Sequence, residues 1–295
     1  MVEDCEQVAD RVPPADAFEL VAHETRVAVL EALRRADGGP LSFGDIRAAV
    51  GVDDPGQCHY HVDRLVGQFV ERADEGYSLS PSGWRLVGAV VSGGLTASLS
   101  EESVDADGVC SECGGALEAS VRSAGVTVGC KDCSFIEADP DVPPAALAGR
   151  GESEIARTVG RWARRMETDA AHGFCPNCEG SVTRTVAAPA DDAAPGWFDG
   201  DAVEAVVVTD CDHCGYWWHS MVPIAALVEP AVVAFHHEHG IDLRERPWWT
   251  LESVEIGAAE LTADPRRVRV PMEIDDDART FVFGDEFGFV REREA

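Results

Sequence analysis

The chain has 295 residues, of which 54 are Asp or Glu and 24 are Lys or Arg, so its formal net charge at neutral pH is −30. Hydrophobic residues make up 45% of the chain, which argues against a disordered acidic protein. No apolar run reaches the roughly 18 residues of a membrane-spanning helix, and the acidic N-terminus lacks the features of a signal peptide. We therefore expect a cytoplasmic protein, with its thiols reduced unless they bind metal.

The cationic residues are almost all arginine. Lys131 is the only lysine among the 24 basic residues, so the other 23 are arginines. This combination of acid excess and scarce lysine resembles the proteins of salt-in halophilic archaea, whose charged surfaces stay hydrated in concentrated KCl. In molar salt, counterion release contributes little to DNA binding, so the negative charge does not exclude a DNA-binding role. Specific contacts and dimerisation would then supply the affinity.

The N-terminal third of the chain is predicted to be mostly helical. Residues 1–12, which include Cys5, are expected to form a flexible tail. Pro13 and Pro14 open a helix that carries Phe18, and a second helix begins near His23 and ends before Pro40.

The segment from Leu41 to Tyr77 predicts a winged helix-turn-helix. Ser42 caps one short helix, Gly51 ends it, and Pro55 begins a second helix. That second helix has an apolar stripe consisting of Cys58, Val62, Leu65, Val66 and Phe69. The opposite, solvent-facing side is expected to consist of Gln57, Tyr60, His61 and Arg64. A short hairpin at 69–79 and a last helix containing Trp84 and Val91 complete the predicted domain.

Several stretches of this region resemble one family of regulators. These stretches, within roughly residues 15–98, are AFELVAHETRVAVLEAL, LSFGDI, YHVDRLVGQFVER and YSLSPSGWRLVGAV. They resemble the ArsR-type winged-helix transcriptional regulators, in the version common in haloarchaea. The resemblance implies a homodimer formed by the first and last helices. It also implies that the helix with Gln57, Tyr60, His61 and Arg64 reads double-stranded DNA. The positions that bind metal in metal-sensing members are Phe43-Gly44-Asp45 and Trp84-Arg85-Leu86 here, so metal sensing at those positions is not supported.

Two pairs of Cys-x-x-Cys motifs follow an acidic segment, 100–107, which is expected to be a linker. The first pair consists of Cys110, Cys113, Cys130 and Cys133, with sixteen residues between the two motifs. Residues 116–120 and 126–128 are predicted strands between them. Two such motifs joined by a hairpin are typical of a zinc ribbon, in which four thiolates close a tetrahedron around Zn²⁺. A redox-active dithiol is the alternative for either motif alone.

The second pair consists of Cys175, Cys178, Cys211 and Cys214, with 32 residues between the two motifs. A strand is predicted at 203–209, and Tyr216, Trp217 and Trp218 are expected to start another. The pattern predicts a second zinc ribbon with a longer arm. His213 and His219 are near these cysteines in sequence and are expected to lie beside the metal site or on the surface, because four thiolates already complete the ligand set.

A helix is predicted from about Glu152 to Ala171. Its basic cluster, Arg157, Arg161, Arg164 and Arg165, is interpreted as a solvated face that balances nearby acids, with phosphate or subunit binding as the alternative. A later helix contains His236 and His239, which could share a face. Two candidate ligands without a third favour a polar helix end over a metal site.

The last part of the chain is predicted to be rich in strands, at 248–249, 251–256, 268–274, 280–283 and 287–291. The ribbon, the helix ending HHEHGID and these strands resemble the C-terminal region found behind haloarchaeal ArsR-type domains.

The sequence therefore predicts an α+β protein: an N-terminal winged helix-turn-helix, two zinc ribbons, a helix and a small β-rich C-terminal unit. The predicted segments are a flexible tail at 1–12, the winged helix-turn-helix at 13–98, the first ribbon at 106–138, a linking helix at 150–172, the second ribbon at 173–222 and the C-terminal unit at 223–295.

The function that we expect is sequence-specific DNA-binding transcriptional regulation by a homodimer with two structural Zn²⁺ per chain and a possible contact with the transcription machinery. One alternative is a basal transcription component resembling the alpha subunit of transcription factor E, and another is a thiol redox sensor. An enzyme is not expected, because the sequence has no Gly-rich phosphate loop, nucleophile elbow or open metal site, and hence no candidate catalytic residue.

Overall fold

The computed structural model describes residues 12–36, 39–123, 125–198 and 203–290. These residues form an α+β structure in which the described strands make several small antiparallel sheets, as predicted. The chain divides into two compact units, Met1–Ser98 with Pro143–Ala145, and Leu99–Val142 with Ala146–Ala295. Among the described residues, no helix is both long enough and apolar enough to cross a membrane. The predicted flexible tail lies almost entirely outside the described residues.

The first unit consists of short helices and one hairpin. Its elements are α1 (Pro14–Val21), α2 (Glu24–Arg35), α3 (Phe43–Val50), α4 (Pro55–Leu65), β1 (Val70–Ala73), β2 (Gly76–Leu79) and α5 (Pro81–Val91). Each helix except α1 contributes at least one buried residue to a common core, including Leu30, Ile46, Val62 and Val87. The predicted helices and the predicted hairpin are therefore present.

Local sequence signals define the ends of α3 and α4. Ser42 and Asp45 form a reciprocal capping box at the start of α3, and Gly51 ends that helix with a left-handed φ of 67°. The Asp54 carboxylate then accepts a hydrogen bond from the Gly56 amide at 2.9 Å, and Pro55 occupies the first turn of α4. These caps fix a short link between the two helices.

Two glycines allow close packing around the hairpin. A Cβ atom at Gly83 in α5 would lie 2.1 Å from the Phe69 carbonyl oxygen, and one at Gly76 would lie 2.3 Å from the Leu41 carbonyl oxygen. Both positions therefore require glycine, since α5 approaches the Phe69 backbone at Gly83 and β2 approaches the Leu41 backbone at Gly76. At Gly76 this closeness accompanies a bridge between Leu41 and Tyr77 at the edge of the hairpin.

The rest of the chain contains the other sheets and helices. Their bounds are β3 (Glu102–Val109), β4 (Ala116–Arg122), β5 (Gly125–Cys130), β6 (Ile136–Ala138), α6 (Pro144–Leu147), α7 (Glu152–Ala171), β7 (Val182–Ala187), β8 (Val206–Cys211), β9 (Trp217–Met221), α8 (Val222–Ala226), α9 (Pro230–Glu238), β10 (Glu260–Ala263), β11 (Arg266–Ile274) and β12 (Asp277–Phe283).

The described strands of the second unit form three antiparallel sheets, in the orders β3-β4-β5-β6, β7-β8-β9 and β10-β11-β12. One buried core joins residues of all three sheets to α7, α8 and α9. Helix α7 contributes Ile155, Ala156 and Val159 to that core, which explains its amphipathic sequence. The predicted segments 106–138, 150–172, 173–222 and 223–295 thus all fall within this unit.

A buried ion pair links α7 to the sheet of β7, β8 and β9. One oxygen of Glu167 accepts from Arg184 Nη2 at 2.7 Å, and the other accepts from Trp218 Nε1 and Ser220 Oγ. The Glu167 and Arg184 side chains are only 5% and 11% exposed. The Arg184 guanidinium also lies over the Phe287 ring, 4.7 Å from its centroid. Burial of this pair is tolerated because both carboxylate oxygens have hydrogen-bond donors.

Three predictions about loops and strands are wrong. The acidic segment at 100–107 is not a linker, since most of it is the edge strand β3, whose charged side chains face solvent. Trp248 and Trp249 begin a 3₁₀ helix rather than a strand, and 251–256 contains no strand. Within its described part, the predicted strand at 287–291 is reduced to a single bridge between Phe283 and Phe289.

Replacing Glu167 by Gln should destabilise the second unit by about 3 kcal/mol, because the buried Arg184 charge would lose its counter-ion. The matched control is Asp169→Asn on the same helix, which removes a partly exposed ion pair to Arg165 and should cost less than about 1 kcal/mol. Urea unfolding followed by circular dichroism measures both. Equal effects of the two substitutions would contradict the assigned role of Glu167.

Candidate metal centres and nucleic-acid interface

The first four predicted metal ligands come together at the ends of β3, β4 and β5. Antiparallel register pairs Leu117 with Cys130, and the turn after β3 carries Cys110 and Cys113 to the same edge. The sulfurs of Cys110 and Cys133 are 3.7 Å apart, and those of Cys113 and Cys130 are 3.5 Å apart. All four sulfurs lie within 4.8 Å of one another.

The second set of cysteines forms an equivalent cluster beside β7 and β8. Val182 pairs with Cys211 in that sheet, so the β8 end lies next to the turn that contains Cys175 and Cys178. Sulfur-to-sulfur distances are 3.8 Å from Cys175 to Cys214 and 3.5 Å from Cys178 to Cys211. Both clusters pair the cysteines as predicted, with no exchange of motifs between them.

These distances fit a tetrahedral metal site. Metal–sulfur bonds of about 2.3 Å in a tetrahedron place the sulfurs about 3.8 Å apart. The measured separations are close to that value, and none of them is a disulfide, because the described cysteines are free. Each cluster therefore fits one structural metal ion held by four thiolates.

Backbone amides point at the sulfurs within the Cys-x-x-Cys turns. The Asp132 and Cys133 amides donate to Cys130 Sγ, and the His213 and Cys214 amides donate to Cys211 Sγ. Such donors favour the thiolate over the thiol. Three of the turns also continue through a left-handed residue, at Gly114, Glu179 and Gly215.

One thiol in each cluster ionises easily. The pKa of Cys214 is lowered to about 6 by hydrogen bonds from the Asn177 side-chain amide and the Tyr216 backbone amide. Burial opposes ionisation of Cys130, but the Asp132 and Cys133 amides bring its pKa down to about 7. Cys178, in the same cluster as Cys214, is harder to ionise, because burial and the nearby sulfurs raise its pKa to about 12. Four adjacent thiolates therefore need a cation, which a bound metal supplies.

The turn of the first cluster is held by a buried acid. Glu137 accepts hydrogen bonds from the Ser111 amide at 2.7 Å and from Ser111 Oγ at 2.8 Å. Sequence analysis did not identify this residue, and its position four residues after Cys133 gave no specific signal. His213 is exposed, as expected of a residue beside four thiolates, and His219 lies between Trp197 and Trp217 rather than at the cluster.

The predicted DNA-binding residues of α4 differ in their exposure to solvent. Gln57, Tyr60 and Arg64 are exposed, and 60% of the Tyr60 surface is accessible. Cys58, Val62 and Leu65 are buried on the opposite side, as predicted. We call Gln57, Tyr60 and Arg64 the open face of α4.

The predicted exposure of His61 is wrong. Its side chain is only 4% exposed, and its ring centroid lies 4.2 Å from that of His23 at the start of α2. Burial lowers the His61 pKa, as do the nearby His23 and Arg26. Helix periodicity placed His61 on the solvent-facing side with Gln57, Tyr60 and Arg64, but the packing of α2 against α4 covers it. His61 therefore supports the position of α4 instead of belonging to its open face.

The arginine cluster on α7 is mostly paired within the unit. Arg157 binds Asp107 at 2.7 Å, Arg161 binds Glu245 at 2.5 Å, and Arg165 binds Asp169 at 3.5 Å. The fourth member donates to the Arg246 carbonyl at 3.3 Å. These contacts confirm the interpretation of a face that balances nearby acids.

His236 is neither a metal ligand nor a polar helix end. Its ring is fully buried, with Nδ1 2.8 Å from the Val232 carbonyl and Nε2 2.8 Å from Ser253 Oγ. His239 contacts the Phe235 carbonyl and Asp277 instead. The expectation of a polar helix end failed for His236 because residues 251–254 fold over that side of α9, a long-range contact that helix periodicity does not reveal.

Comparison with protein families identifies a model for most of this chain. A model described as a domain of unknown function, DUF7351, matches residues 107–288, more than half of the 295 residues. The chain belongs to the DUF7351 family. A second model of a domain of unknown function, DUF7347, matches residues 14–90. The DUF7351 match covers both cysteine clusters, and the DUF7347 match covers the open face of α4. Comparisons with curated proteins and with solved structures give no match.

Purified protein should contain two metal ions per chain, because each cluster supplies a complete set of four sulfur ligands. Cys178→Ser should reduce the content to one ion. Cys58→Ser is the matched control and should leave two ions, since Cys58 lies in the core of the first unit. Elemental analysis measures the metal content, and thiol counting shows whether the cysteines are reduced. A wild-type content of one ion or none, with free thiols, would contradict the assignment of two metal centres.

Proposed function

We propose that this DUF7351-family protein is a sequence-specific DNA-binding transcriptional regulator of the ArsR-like winged-helix type. In this proposal it acts as a homodimer and carries two structural Zn²⁺ ions per chain. The observation that carries the proposal is the open face of α4, which presents Gln57, Tyr60 and Arg64 to solvent beside a short β-hairpin. Neither family match names an activity, so the argument depends on this geometry.

The chemistry of the open face suits the edges of base pairs. An arginine such as Arg64 can donate two hydrogen bonds to guanine or bind a phosphate, and Gln57 can pair with an adenine edge. Tyr60 can donate to a phosphate or pack on a thymine methyl group. Helix α4 spans 11 residues, enough for its exposed side to lie in a major groove.

The hairpin is expected to contribute little to phosphate binding. Its two-residue tip consists of Asp74 and Glu75, both exposed and both acidic. Acidic side chains repel the DNA backbone, so sequence specificity would depend on α4 more than on the wing. The tip also accords with an acidic surface suited to high salt.

Exposed apolar side chains on α1 and α5 support a homodimer. Exposed fractions are 70% for Phe18, 53% for Trp84, 50% for Val91 and 74% for Leu95 just beyond α5. Large apolar side chains grouped on two elements of a small unit favour burial against a partner. A second copy is the proposed partner, because a two-fold axis pairs the same surface on both chains and covers both at once.

Zinc is the proposed metal because four thiolates in a tetrahedron suit Zn²⁺ and leave no coordination position open for substrate. Iron also accepts such a ligand set. Elemental analysis distinguishes the two, and an optical spectrum adds a second criterion because Zn²⁺ has no d–d transitions. A structural role follows from the closed ligand set and the sheet ends that it joins.

Arg64→Ala should weaken binding to a specific DNA site by about 1–3 kcal/mol without altering the fold, because the side chain is exposed and contacts bases or phosphate. The control is Arg35→Ala, which removes an equally charged, exposed side chain from α2. Binding to promoter fragments of the host is measured in molar KCl. The proposal is contradicted if wild-type protein binds no fragment, or if it binds the same fragments as Arg64→Ala with equal affinity.

A charged substitution on the apolar surface should produce monomers. We expect this of Trp84→Glu combined with Val91→Glu, because charge at the interface would have to be desolvated on association. Val87 on the same helix is unsuitable, since it is only 5% exposed and belongs to the core. Light scattering in high KCl gives the mass. A wild-type monomer would contradict the homodimer and favour the basal-factor alternative.

A further inference from the structure

A cavity of about 480 Å³ lies within the second unit. Its lining includes the turn of the first cysteine cluster at Ser111 and Glu112, the pair Trp197 and Phe198, and most of the residues from 251 to 257. Three single side chains, Phe135, Val203 and Met221, complete the described lining. None of its lining residues is a cysteine, so it is distinct from both metal centres. Its volume is within the range of roughly 300–1,000 Å³ that is typical of small-molecule sites.

Most of the side chains that line the cavity are apolar, and three of them are aromatic. The larger apolar side chains in its lining are Phe135, Trp197, Phe198, Met221, Leu251 and Ile256. Trp197 remains 52% exposed, although Phe198 beside it is buried. Part of the indole surface is therefore available to a ligand, and indole is the aromatic group that attracts cations most strongly.

The charged groups of the cavity are all acidic. Glu112, Glu252 and Glu255 line it and are exposed, whereas no lysine, arginine or histidine is among its described lining residues. Within the described ranges these three carboxylates form no ion pair, unlike the carboxylates beside the arginines of α7. An aromatic lining with unpaired carboxylates is complementary to positive charge on an otherwise apolar molecule.

The histidine beside Trp197 does not compete with a bound cation. His219 lies beside Trp197, with ring centroids 4.9 Å apart. Burial lowers the pKa of His219, which disfavours the protonated ring. A protonated His219 is therefore disfavoured beside the indole that the ligand would contact.

We propose that this cavity binds a small organic cation, a lipophilic amine or a quaternary ammonium compound. The cationic nitrogen lies against Trp197 and near Glu252 and Glu255, and the apolar substituents contact Phe135, Phe198 and Met221. An anion is disfavoured by the three carboxylates, and a neutral apolar molecule gains nothing from them. The inference goes beyond DNA binding and does not depend on it.

Calorimetric titration of the full-length, metal-loaded protein tests the proposal with three probes of similar size. The probes are benzyltrimethylammonium, 2-methyl-1-phenyl-2-propanol and phenylmethanesulfonate, which share a benzyl group, have the same number of non-hydrogen atoms and differ in charge. We expect saturable binding of one benzyltrimethylammonium per chain, and weaker binding of the neutral and anionic probes by about tenfold or more. Affinity for the cation should fall as KCl rises, because salt screens the carboxylates.

Two pairs of variants locate the site. Trp197→Ala should weaken binding of the cation by about fivefold or more, whereas Trp217→Ala should not change it. The comparison is matched because Trp217 is 53% exposed, lies on the other side of His219 and does not line the cavity. Glu252→Gln with Glu255→Gln should also weaken binding. The control for charge is Glu260→Gln with Glu273→Gln, two exposed acids outside the cavity.

Metal content and thermal unfolding of each variant show whether it is folded. If a variant does not fold, Glu255→Gln alone is measured in its place. The proposal is supported if the cation is preferred and its affinity depends on Trp197 and the two glutamates but not on their controls. Absence of saturable cation binding, equal affinity for all three probes, or an equal loss in Trp217→Ala would overturn it.

Discussion

The second unit depends on the electrostatics of eight cysteine sulfurs. Each cluster brings four sulfurs within 4.8 Å of one another, at places where the strands and turns of a sheet end. Thiolates at such distances repel one another unless a cation lies between them. The hydrogen bonds from backbone amides favour ionisation but do not remove that repulsion. A metal ion therefore stabilises each set of strand ends, and its binding free energy becomes folding free energy.

The clusters lie at the ends of sheets whose faces are joined by a shared core. Helix α7 packs its apolar side there, and its buried Glu167 binds Arg184, Trp218 and Ser220 of the sheet that ends at the second cluster. Mispositioning of that sheet would leave Glu167 without donors, which is costly for a buried charge. Metal binding and the Glu167 contacts thus each constrain the positions of the strands in the sheet of β7, β8 and β9. The aromatic cavity is lined partly by the turn of the first cluster and by Met221 at the end of β9, so its shape depends on both constraints.

Local signals in the sequence predict much of this structure. The cysteine spacing predicts both clusters and their pairing, and the apolar periodicity predicts α7 from Glu152 to Ala171. Capping residues and Gly51 predict α3 and α4 correctly. In each case the information is contained in neighbouring residues, so it does not require knowledge of distant contacts.

Features set by long-range contacts were not predictable. Strand β3 has an acidic sequence because it is an edge strand, and only its pairing with β4 distinguishes it from a linker. His61 and His236 are buried by segments distant in sequence, α2 and residues 251–254. Nothing in the sequence around Glu137 and Glu167 distinguishes them from other acidic residues. Only the hydrogen-bond donors around them in the structure reveal their roles. The cavity likewise combines several segments that no local motif connects.

Hydrogen exchange after metal removal tests the central claim, that bound metal maintains the sheets of the second unit. A chelator removes the metal under reducing conditions, and mass spectrometry then follows exchange in peptides from each unit. The account predicts that amides of β4, β5, β7 and β8 lose protection, whereas amides of α2, α3 and α4 keep it, because no described residue of the first unit belongs to a cysteine cluster. Continued protection of those strands without metal would contradict the account.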